Sequence, residues 1–262
     1  MQSSLSANTL FHFTKTSESL LSILSNGIYL NYCREDQSYL WGNEPGTNIF
    51  ATPMSCFCDI PLSNVSKHMD NYGEYAIGLR KDWAITNRIN PVLYLTQDSL
   101  TMMSLVNCLI TTLPIAEDTQ SQSISIDAKN ICSSISNELT NIILTSKPYE
   151  GRSLETGQNV RFYDEREWRY TPSINDYFKD IPSLLNDTEY ADTNIRMMFT
   201  EELKRFKLSF SPKDIKYIIV KDDDEILSVM DKIQNINGNW AHNDVKLLTT
   251  RIMSSKHILE DF

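Results

Sequence analysis

Apolar positions along this chain change period several times, and each change marks an element. Thr9-Leu10-Phe11-His12-Phe13-Thr14 is a short apolar and β-branched run, which predicts a buried strand. Ser17 then stands as a helix N-cap, with Leu20, Leu21, Ile23 and Leu24 following at helical spacing. Asn26-Gly27 stops that helix, because glycine suits the left-handed position just past a C-terminus. Residues 31–50 are rich in Asn, Gln, Asp, Glu and Gly and read as a long loop. Residues 54–60 predict a strand closed by Pro61, and a short helix spans about 62–69. Tyr75-Ala76-Ile77-Gly78-Leu79 is strand-like again, and Gly78 in its interior implies that something approaches the backbone closely. Residues 90–95 form one more expected strand.

The middle of the chain follows a different rule. From about 99 to 113, and again from about 124 to 144, apolar residues recur at helical spacing. Val106, Leu109 and Ile110 make one core-facing stripe, and Ile131, Ile135, Leu139, Ile142 and Ile143 the other. The polar residues 116–123 connect them. Beyond this hairpin, residues 163–170 alternate as a strand. Tyr163, Glu165, Glu167 and Arg169 fall on one face, and Asp164, Arg166, Trp168 and Tyr170 on the other. A loop-rich stretch with Pro172 and Pro182 follows. Then come a helix at about 200–207, a strand at 215–220, a helix at about 224–233 and a last strand at 245–251. The whole reads as one α+β domain over 1–262, a strand-rich core with a helical insertion at about 98–147.

Composition narrows the picture without changing it. A net charge of -10 argues against a generally basic nucleic-acid-binding surface. The Lys204–Lys207 cluster is flanked by Glu201 and Glu202 and reads as the solvated face of a helix. The five cysteines fit no disulfide framework. Apolar runs are broken by Ser, Thr or Asn before reaching bilayer length, and the first residues lack the basic start of a signal peptide. The expectation is a cytoplasmic protein with no membrane segment.

Candidate chemistry starts with the charged strand. Two acids and an arginine on one face are poorly suited to plain core packing, since an unpaired buried charge is expensive. Either they line a cleft or they decorate the solvent face of an edge strand. His12 points away from Phe11 and Phe13, and Thr14 shares its face. The bland reading is a core histidine bonded to a backbone carbonyl; the functional one is a neutral imidazole holding a ribose hydroxyl. Tyr72 and Tyr75 flank a tight turn and could stack a planar ring or simply cap the sheet edge. Cys56 and Cys58 share a strand face, but no second Cys/His pair has zinc spacing, so no metal is expected. A Cys58/His68 nucleophile pair is conceivable and has no supporting nucleophile turn.

The segments Leu10–Thr14, Cys56-Phe57-Cys58-Asp59-Ile60-Pro61-Leu62-Ser63, Tyr72–Leu79, Lys81-Asp82-Trp83-Ala84 and Glu165–Arg169 resemble the AbiGi family of abortive phage-infection proteins. That resemblance implies an antitoxin with a separate toxin partner. A more distant resemblance is to ADP-ribosyltransferase-like folds of the DarT type, which implies a mixed or antiparallel sheet core and NAD as substrate. Under it His12 with Thr14 would hold the NAD ribose, and Tyr75, or Tyr72 in its place, would stack on nicotinamide. Glu167, with Glu165 as competitor, would stabilise the oxocarbenium ion. Arg166 or Arg169 would pair with the pyrophosphate, and Arg80 is the nearest candidate for the arginine expected near the aromatic. The function implied is phage defence by ADP-ribosyl transfer to a protein or nucleic-acid acceptor. The alternative is a non-catalytic antitoxin or sensor that binds a toxin or phage component.

Overall fold

The computed structural model describes residues 8–118, 123–173, 181–235 and 240–261. Its main sheet is assembled on β1 (Thr9–Thr14), β3 (Ile49–Cys58) and β4 (Tyr75–Arg80), the apolar runs with the clearest strand pattern. β2 (Asn31–Asp36) precedes β3; β5 (Asn90–Pro91) and β6 (Leu93–Leu95) follow β4. Later strands are β7 (Ser146–Pro148), β8 (Gly151–Arg152), β9 (Asn159–Val160), β10 (Glu167–Tyr170), β11 (Leu185–Asn186), β12 (Ile215–Val220) and β13 (Ile252–Ser254). The sheet runs β13-β12-β4-β1-β3-β10-β5, antiparallel except where β13 joins β12. The fold is α+β with a mixed sheet.

Helices cover both faces. On one, α1 (Ser17–Asn26) and the helices Asp224–Asn235 and His242–Thr249 bury Leu10, Leu20, Leu24, Ile77, Leu79, Ile218 and Val229. On the other, α2 (Ser66–Tyr72) and the C-terminal helix Ser255–Asp261 cover Phe11, Cys58, Ala76 and Ile219. α3 (Lys81–Thr86) follows β4 directly and buries Trp83. Gly78 is the close approach expected of it. A Cβ there would meet the Phe11 ring at 2.8 Å and Tyr217 at 3.1 Å, so the neighbour is packing rather than a ligand.

The ten-residue β3 organises the rest. Its first half pairs with β2 and β11, and its second half with β10, from Ser55↔Tyr170 to Cys58↔Glu167. Residues 31–36, expected in a loop, are therefore a strand; backbone pairing with β3 outweighs their polar composition. α4 (Leu100–Glu117) and α5 (Ile126–Leu144) form a helical hairpin between β6 and β7, which pair in parallel with one another.

Other expectations shift. Thr16, not Ser17, caps α1, accepting from the Ser19 N–H. Residues 245–251 were expected as strand, but 245–249 belong to the helix His242–Thr249, with Leu248 buried, and the parallel strand begins only at Ile252. Residues 162–165 form a 3-10 turn, and Arg166 adopts a left-handed conformation at φ 46°, so the alternating strand begins only at Glu167. The helix expected at about 200–207 runs Thr193–Leu203 and tightens into a 3-10 turn. The first residues, the 116–123 connection and the Pro172–Pro182 loop extend into positions outside the described residues.

Candidate functional site

β1 and β3 share a single register position, Phe11↔Cys58. Past it the strands separate, and His12 fills the gap: its Nδ1–H donates to the Cys56 carbonyl at 2.8 Å. Burial lowers its pKa, so the ring is neutral, with Nε2 left as an acceptor. A cleft of about 1400 Å³ opens here, walled by α2, β2 and the β8–β9 hairpin.

Its floor is a chain of ion pairs. The Lys147 ammonium lies 2.6 Å from Glu165 and 3.0 Å from Glu167. Arg169, only 1% exposed, donates from Nε to Glu167 at 2.8 Å and grips Glu35 with both terminal nitrogens at 3.0 and 2.7 Å. Its remaining hydrogen bond goes to the Leu144 carbonyl. Three carboxylates thus share two cations in the interior, where each removed partner would leave an uncompensated charge. Burial alone would raise the Glu167 pKa, but Arg169 and Lys147 outweigh it and hold the carboxyl well below its usual range. Likewise burial works against the Lys147 charge, and Glu167 and Glu165 keep it protonated.

An aromatic ladder forms one wall. His68 packs at a tilt between Tyr72, 4.4 Å away, and Phe13, 5.1 Å away. The Tyr72 hydroxyl donates to Glu165 at 3.0 Å. Burial drives the His68 pKa down to about 4, so this ring too is neutral near pH 7. Helical spacing puts His68 and Tyr72 on one side of α2.

The residues proposed from sequence divide. His12, Tyr72, Glu165 and Glu167 line the cleft; Thr14, Tyr75 and Arg169 do not. Tyr75 is buried on the α1 side of the sheet and donates to Glu225 at 2.8 Å, so it has no free ring face for nicotinamide. Thr14 sits opposite Tyr75 at the strand end. Arg169 cannot take a pyrophosphate while Glu167 and Glu35 hold it. Arg80 is closed on Asp82 at 2.6 Å. Register also separates His12 from Glu167. Phe11, Cys58 and Glu167 lie abreast, so their side chains share a face and His12 belongs to the other. Burial raises the Cys58 pKa, and His68 faces aromatics, which removes the Cys58/His68 pair. No metal-binding cluster of His, Cys, Asp and Glu occurs among the described residues. Sequence reading missed Glu35 and Lys147. Neither carries a local signal, since one lies in the polar stretch before β3 and the other just after a helix.

A second surface differs completely. α4 buries Met102 and Leu109 against Leu40, Leu95 and Ile143, yet Met103, Ile110 and Leu113 are 49%, 52% and 37% exposed. With Val106 they recur at heptad spacing. On α5, Ile131, Ile135 and Ile142 are exposed too, so most of the predicted core stripe faces outward. By length and composition α4 is a helix able to cross a membrane, against the expectation that no segment reaches that length.

Comparison with known proteins identifies the lineage. The family model described as "Putative abortive phage resistance protein AbiGi, antitoxin" matches residues 26–221. The chain belongs to the AbiGi family. The abortive phage resistance protein AbiGi of Lactococcus lactis subsp. cremoris is 32% identical over 252 residues, covering 88% of this chain and 95% of that protein. The AbiGi match takes in the hairpin, β10 and the cleft apart from its β1 residues, since the Leu10–Thr14 segment lies outside it. No solved structure matches the chain.

Proposed function

We propose that this chain acts in abortive phage resistance as an antitoxin, binding a toxin protein along the exposed flank of α4. The observation that carries this reading is the exposure of Met103, Ile110 and Leu113 along one flank of a folded helix, with Val106 between them half-buried against the hairpin core. An apolar flank of this kind marks an interaction surface. α4 carries no charged side chain before Glu117, so a partner helix could bury it without stranding a charge. The net charge of -10 over the chain would steer a basic toxin toward it. The family description supplies the word antitoxin, and with it the class of partner. Binding is preferred to ADP-ribosyl transfer because Glu165 and Glu167 are both held by Lys147, and Glu167 also by Arg169.

The test is growth rescue. Cells expressing the toxin of the same system should recover with the wild-type chain and not with Ile110→Glu/Leu113→Glu, while both proteins unfold at the same temperature. Equal rescue by the double variant would remove α4 as the contact. Flotation of the wild type on anionic vesicles, abolished by the same substitutions, would instead assign the flank to a bilayer.

A further inference from the structure

We propose that the cleft beside Glu165 is a binding site for a nucleoside phosphate, distinct from the α4 flank. Such a ligand must offer a planar ring, hydrogen-bond donors and an anion, and the cleft presents a counterpart for each. The His68 and Tyr72 rings both line the cleft, and aromatic side chains are the surface on which any base can stack. Glu165 accepts one bond at each oxygen, from Tyr72 and from Lys147, and a carboxylate has room for about four. Its remaining lone pairs line the cleft and can accept from a ribose hydroxyl or an exocyclic amine.

The anion is placed by the cations at the rim. Lys67 on α2 and Arg152 on β8 both line the cleft, and both are exposed. Neither has a carboxylate within ion-pair distance among the described residues; Arg152 donates only to the Gly157 carbonyl at 3.1 Å. Among the described residues, the cleft of a chain of net charge -10 thus holds two cations that no carboxylate neutralises. Phosphate oxygens complete them, bidentate at Arg152 and as a point charge at Lys67. The volume of about 1400 Å³ exceeds the usual small-ligand range of roughly 300–1,000 Å³, leaving room for a dinucleotide such as NAD or for the 5′ end of a strand.

Titration calorimetry on the full-length protein decides it, with ADP, NAD and a 5′-phosphorylated oligoribonucleotide as probes. Adenosine and inorganic phosphate serve as half-ligands. At least one probe should bind at about millimolar concentration or better, and adenosine should bind at least about tenfold more weakly than ADP. Lys67→Glu/Arg152→Glu should weaken the bound probe at least about tenfold without moving the unfolding temperature, since both side chains are exposed. The tightest probe names the source of the phosphate. Absence of heat with all three probes, or equal affinity in the double variant, overturns the site. Neither outcome touches the toxin-rescue result, because the substituted residues lie off α4.

Discussion

The cleft and the helical hairpin handle their side chains in opposite ways. At the floor of the cleft the charges are matched: Glu35, Arg169, Glu167, Lys147 and Glu165 form one connected chain of ion pairs. On the hairpin an apolar row is left unmatched at the surface. Buried charges tolerate no missing partner, so the first region must be complete within the chain. Exposed apolar groups tolerate solvent at modest cost, so the second can wait for a partner from outside. The contrast teaches that the polar residues most conspicuous in the sequence chiefly build the interior, whereas the inconspicuous Ser/Asn/Ile helices carry the open surface.

Lys147→Met breaks the contrast most severely. It leaves the half-buried Glu165 without its cation and Glu167 with Arg169 alone, and a loss of about 3 kcal/mol in urea unfolding is expected. A neutral result would mean that water already reaches the floor and that the network is not interior. Leu109→Ala, by contrast, tests the hairpin's inner side. It should cost about 2–4 kcal/mol, seen as faster amide exchange in α4 and α5 before the sheet. Equal exchange in both regions would show that the hairpin has no core of its own.

Acid separates the regions next. His68 has its pKa lowered from 6.5 to about 4, so its contribution to stability is complete above 6.5 and is lost as pH falls toward 4. His12 is shifted in the same direction by burial and contributes with the same sign as pH falls below 6.5. Glu167 is lowered below its ordinary 4.5, so its contribution fades only below that value. His68→Phe should flatten the stability profile between pH 6.5 and 4 and leave the steeper fall at lower pH in place. An unchanged slope would place the titration elsewhere. The smallest effect belongs to the outer flank of the hairpin. Ile110→Glu should change stability by no more than about 0.5 kcal/mol while removing toxin neutralisation. A large loss of stability would mean that the flank is already covered within the chain.

Strands with unambiguous apolar runs were legible: Thr9–Thr14, Tyr75–Arg80 and Ile215–Val220 lie where their patterns put them. The polar strand Asn31–Asp36 was not, because its stability comes from pairing with β3 rather than from its own side chains. Residues 245–251 were misread because a β-branched and apolar run fits either period when short. At the cleft, the sequence pointed to His12, Tyr72, Glu165 and Glu167 and also to Thr14, Tyr75 and Arg169, with no means of separating the two groups.

What the sequence determined alone is the list of elements with strong periodicity, the hairpin's existence and the family to which the motifs belong. The tertiary structure decided which charges became partners. Glu35 and Arg169 are far apart along the chain, and Lys147 reaches Glu165 and Glu167 only because β6–β7 pairing returns the chain to the sheet after the hairpin. Charge pairing depends on distances of a few ångströms set by strand register, which leave no trace in local composition. The outward turn of the apolar rows on α4 and α5 was settled in the same way. Helical period fixes which residues share a stripe, but only packing fixes which stripe meets the core.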